Sequence, residues 1–179
     1  MKSKLIIISL VAALLTSAVA PSFGGRASAA VPAAPVASAS HTHPAFLDKT
    51  RFLLHAGAAF FIIHHEYSRY KQGYFNAGAS GRTKNFIFAA GALLIAVHEA
   101  RVAYGIAEKS NSKTLHVLAS PFQSLSTTMD TIRGKFSKGQ GSASDIQNLN
   151  NSTASINSTA TGNGLGAIKD VNTPLPAGA

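Results

Sequence analysis

Histidine carries most of the chemistry this sequence could do. His55, His64, His65 and His98 fall inside two apolar stretches, and none of the 179 residues is cysteine. Imidazole is a common metal ligand and an axial ligand of haem iron. If the two stretches are antiparallel helices turning near residues 71 and 83, His55 lies 16 residues from the turn and His98 lies 15. At about 1.5 Å of rise per residue they stand at one height. A facing His55/His98 pair would suit a b-type haem or a divalent metal ion, with small residues such as Gly57 and Gly91 leaving room for a flat ring. His64 and His65, beside Glu66, have the composition of a metal site. They lack the Glu-x-x-His spacing of di-iron bundles and the His-Glu-x-x-His motif. Histidines in apolar helices are more often packed, neutral and hydrogen-bonded. No cofactor is therefore favoured, and haem or metal stands as the alternative.

Other chemistry finds less. Gly-x-Ser-x-Gly does not occur, cysteine nucleophiles are absent, and only seven acids are present in all. Glu66 and Glu99 each adjoin a histidine, but neighbouring residues on a helix do not face one another. The expectation is a non-enzymatic protein. His41 and His43 form a spaced pair in a segment too loose to hold an ion tightly.

The elements that must position these residues are helical. AGAAFFIIHHEYSRY (56–70) recurs 34 residues later as AGALLIAVHEARVAY (90–104), with Ala56, Gly57, Ala58, His64 and Tyr70 on Ala90, Gly91, Ala92, His98 and Tyr104. The repeat predicts a helical hairpin. Its first helix runs from about Ala45 to Lys71 and its second from about Thr83, as N-cap, to Lys109. The glycine-rich stretch 73–82 is the turn. Leu94 is expected in the hairpin's core. Next, Leu115, Leu118, Phe122, Leu125, Met129, Ile132 and Phe136 follow the 3–4 spacing of a heptad seam. Pro121 is expected to split that segment into a turn (114–119) and a helix (121–138), with Ser120 as cap. A fourth, weak helix is expected after Ser144, carried by Ile146, Leu149, Thr153, Ile156 and Ala160. Its remaining Asn, Ser and Thr residues are poor helix formers. The fold class is all-α, a small bundle over 46–161, and residues 162–179 are expected to be a disordered tail.

The chain opens like an exported one. Lys2 and Lys4 precede an apolar run, Leu5–Ala20, and Ala27, Ser28 and Ala29 form a small-x-small cleavage site, which makes 1–29 a signal peptide. Residues 30–45, rich in Ala, Pro and Ser, read as a flexible arm. Without the leader, thirteen basic residues face seven acids, a net +6. The basic residues are scattered, so a nucleic-acid partner is not expected; weak contact with a membrane or anionic cell wall is. With no cysteine, the exported core rests on packing alone. The expected location is the cell envelope or the medium, and the expected role is structural or interactive. The fourth helix offers too little apolar surface to cover the seam; the hairpin is expected to take most of it, and the remainder, at Leu118, Leu125, Met129 and Ile132, to support weak self-association or membrane contact.

Overall fold

The computed structural model describes residues 45–175. The expected signal peptide, the arm with His41 and His43, and residues 176–179 lie outside them. Four helices follow one another: α1 (Ala45–Lys71), α2 (Arg82–Lys109), α3 (Lys113–Ser137) and α4 (Ala143–Gly162). α2 packs on α1 and, most extensively, on α3, while α4 closes the ring against α1 and α3. The described residues fall within one compact unit, His41–Ala179, and its core closes on itself from Phe52 to Ile168.

Small and large residues divide the core between them. α2 presents Ala89, Ala96, Ala100, Ala103 and Ala107 inward, so α3 can approach closely. α1 supplies bulk: Phe52 meets Phe122 edge-on at 5.1 Å, and Phe60 stacks on Phe122 at 6.0 Å. At the turn end, Phe75 and Phe86 close on Phe136. All seven seam residues are buried by these neighbours. Leu118, Leu125, Met129 and Ile132 are therefore filled within the chain, and the association expected at them finds no exposed part of the seam. The α1–α2 hairpin and α4 together cover the seam, the whole of it rather than most.

Three helix boundaries also differ from expectation, each for a local reason. α3 is continuous through Pro121. A proline inside a helix costs about 3 kcal/mol, but burying one large apolar side chain gains roughly 1.5–3 kcal/mol, and the seam buries seven. Val117, whose carbonyl loses its partner to the proline ring, is exposed and can be hydrated. α2 begins at Arg82, after Gly81 rather than Thr83; Gly81 has φ 68°, a left-handed turn that favours glycine. α4 is capped by Ser142 rather than Ser144. The Asp145 N–H donates to Ser142 Oγ at 3.2 Å, and the Ser142 N–H donates to Asp145 Oδ2 at 3.0 Å. A carboxylate suits this capping box better than the amide of Gln147.

α4 is regular along its 20 residues, with its thin apolar stripe buried. Ser152, Thr159 and Thr161 donate their hydroxyls to carbonyls four residues back. These bonds satisfy the polar side chains without breaking the helix. The segment after α4 departs from the expected disordered tail. Over 163–175 it has no helix or strand, yet Leu165 and Ile168 are buried in the core, and the Val171 N–H donates to the Gly57 carbonyl at 3.0 Å. Leu165, Ile168 and half-buried Leu175 hold the strap down.

Candidate functional site

Four polar clusters tie the elements together. At mid-height on the hairpin, His55 Nδ1 meets Glu99 Oε2 at 2.6 Å. The common height expected from counting holds to within one residue, but the rotation does not. His98 points outward and is exposed, so it is Glu99 that meets His55.

His64 joins three elements. Its Nδ1 lies 2.8 and 3.0 Å from the two Asp170 carboxylate oxygens on the strap, and its Nε2 lies 3.2 Å from Thr153 Oγ1 on α4. Thr153 already donates its hydroxyl proton to the Asn150 carbonyl at 2.7 Å, so its oxygen accepts from His64. A carboxylate also accepts only, so this network is complete when both ring nitrogens donate. Phe60, His64, Asn150, Thr153, Ala154 and Asn157 line a shallow cleft beside it.

The third cluster anchors the turn. Buried Glu66 receives Arg69 Nη1 at 3.2 and 3.3 Å, and Arg69 Nη2 donates to Asn85 Oδ1 at 3.2 Å. Asn85 in turn donates to the Tyr74 carbonyl, and the guanidinium lies over the Tyr74 and Phe75 rings. Burial raises the Glu66 carboxyl above its ordinary value; Arg69 opposes this and does not cancel it. Burial, helped by the Arg69 charge, lowers the neighbouring His65 ring. The Nε2 of His65 is buried without a hydrogen-bond partner. The fourth cluster joins α3 to α4, where Lys135 Nζ meets Asp145 Oδ1 at 2.7 Å. Burial works to raise Asp145, but its bonds to Lys135 and Ser142 prevail and hold it low.

The residues singled out as cofactor or metal ligands are thus dispersed. His55 is bonded to Glu99, His98 is on the outer face, His64 serves the strap, and His65 adjoins the turn cluster. Among the described residues no three His, Asp or Glu side chains converge on one point. Sequence reasoning missed the Glu66–Arg69–Asn85 cluster. Its signal was a charged i,i+3 pair at the edge of an apolar run. It also missed Asp170, which lay in a segment read as unpacked. Comparison of the chain with protein-family models, with curated proteins and with solved structures finds no match in any of the three.

Proposed function

We propose that this chain is an exported, non-enzymatic helical protein of the cell envelope or medium, with a structural or interactive role. One observation carries the reading. The polar side chains that could do chemistry are spent as ties between elements: His55 to Glu99, His64 to Asp170 and Thr153, Arg69 to Glu66 and Asn85. A catalytic group needs a partner or substrate within reach of a pocket; His64 borders a shallow cleft, but both its ring nitrogens are already bonded within the fold. The basic n-region, apolar run and cleavage site at 1–29 support export. Haem or metal held by His55 and His98 has less support, because Glu99 takes Nδ1 of His55 and His98 is exposed.

The test is to recover the protein from a secreting bacterial host and determine its N-terminus, then to record its absorption spectrum and metal content. An N-terminus at Ala30 or Val31 on colourless, metal-free protein is the expected result. Retention of residues 1–29 on protein confined to the cytoplasm would remove the export reading. A Soret band lost in His55→Ala would hand the site to haem.

A further inference from the structure

The two halves of the repeat are covered differently, and the difference leaves an apolar face on α2. Ile87 is 60 % exposed and Leu94 is 56 % exposed, although α2 is the helix whose length and hydropathy would suit a membrane crossing. At about 100° per residue, Lys84, Ile87, Gly91, Leu94, His98 and Arg101 form one stripe. The stripe is free of acids. Of the two acids of α2, Glu99 is bonded to His55 and Glu108 accepts from the Tyr104 hydroxyl. Cations flank it at both ends. Lys84 lies over the Phe88 ring, and Arg101 shares Asp130 with Arg133, a cluster with one positive charge in excess.

We propose that this α2 face docks on an anionic lipid surface, with Ile87 and Leu94 entering the headgroup region and Lys84 and Arg101 meeting lipid phosphates. Apolar anchors between cations are what such a surface binds. The charge pattern argues against a second copy. An antiparallel α2 pair centred between Gly91 and Leu94 sets Lys84 against Arg101, and a parallel pair sets Lys84 against Lys84. Both oppose like charges. The proposal rests on the envelope reading only for access to such a surface, and it is tested in vitro, apart from export.

The chain from residue 30 onward contains the whole compact unit, so it is the form to use. Sedimentation with phosphatidylglycerol vesicles and with phosphatidylcholine vesicles, at low and high salt, reads the partition. The expected result is binding to phosphatidylglycerol alone that weakens with salt. Lys84→Gln should weaken it about fivefold, the share of one basic residue at an anionic surface. The pair Ile87→Asn and Leu94→Asn should weaken it more than about tenfold with helicity unchanged. If the pair loses helicity, Lys84→Glu, which leaves the apolar side chains in place, decides instead. Three results would overturn the proposal: no binding to phosphatidylglycerol at low salt, equal binding to both lipids, or undiminished binding by the variants. A dimer in lipid-free solution that the paired variant abolishes would also overturn it, by giving the face to a second copy.

Discussion

α1 and α2 begin from nearly the same string and end in different surroundings. Paired through the repeat, most positions share a fate: Ala56 and Ala90, Ala59 and Leu93, Ile63 and Val97 are all buried. The fates part along one stripe. Gly57 and Phe60 are buried and His64 is half-buried beneath α4 and the strap, whereas Leu94 and His98, which match Phe60 and His64, are exposed. α1 is enclosed by α2 on one side, by the Phe122 ring of α3, by α4, and by the strap over Gly57. A helix apolar around its whole circumference is normally buried, and the middle of α1, from Ala56 to Ile63, meets that rule because the C-terminal segment returns to complete it, while Leu54 nearer its start stays exposed. No described segment makes that return over α2, so the same composition leaves an apolar stripe in solvent.

The sharpest break between the two fates lies within α2, at adjacent leucines. Leu93 is fully buried and Leu94 is mostly exposed. Leu93→Ala is expected to cost about 2–5 kcal/mol, as core truncations do. Leu94→Ala should stay within about 0.5 kcal/mol, as surface changes do. Urea unfolding of both variants checks this, and equal losses would mean that Leu94 is covered. This reverses the expectation from sequence, which placed Leu94 in the core.

Loss of the strap should have the next largest effect. Deleting residues 163–179 uncovers α1 and removes buried Leu165 and Ile168. Each such side chain is worth roughly 1.5–3 kcal/mol when buried, less the entropy recovered by the freed segment. A net loss of about 2–3 kcal/mol is expected, read as a lower urea midpoint. An unchanged midpoint would show that α1 is stable without its cover.

Gly57 sharpens the comparison at one atom. A Cβ there would run into the Lys169 carbonyl and the Val171 side chain. In an open helix, Gly→Ala gains up to about 1 kcal/mol. Gly57→Ala should instead cost about 1–2 kcal/mol, the usual scale of overpacking, and should speed hydrogen exchange at the Val171 amide. A stabilised variant with a protected Val171 amide would mean that the strap does not need the close approach.

Much of the architecture was legible because it rests on periodicity. The helices of the repeat, the buried stripe of α4 and the seven seam residues follow from 3–4 spacing, and all appear as helices with those residues inside. What could not be read depends on rotation and on long-range partners. A height along a helix follows from counting, so the sequence sets residue 55 at the level of residue 98. Which of two adjacent residues turns inward depends on packing against α3, and that chose Glu99. The strap was invisible for another reason. Leu165, Ile168, Val171 and Leu175, scattered through a Gly- and Asn-rich segment, reveal nothing until α1 offers a glycine and a histidine to receive that segment.

The smallest difference concerns protons, at repeat partners His65 and Glu99. Glu99 has His55 as a partner, while buried His65 Nε2 has none. Burial and Arg69 hold the His65 ring below its ordinary value of 6.5, so the folded protein keeps it neutral where an unfolded chain would begin to protonate it. The sign follows from linkage: its contribution is present above pH 6.5 and is lost as pH falls through the lowered folded value. Glu66 has the opposite sign. Its carboxyl is raised above 4.5, so its contribution is present below that pH and is lost as pH rises through the raised folded value. The two oppose each other on acidification, and the parent alone cannot separate them. His65→Gln keeps a polar side chain and cannot take the proton. The stability difference, parent minus variant, should therefore fall as pH drops below 6.5. Urea midpoints for both proteins across that range read it directly. A difference independent of pH would mean that water reaches the His65 ring and that the two halves of the repeat are alike in this respect.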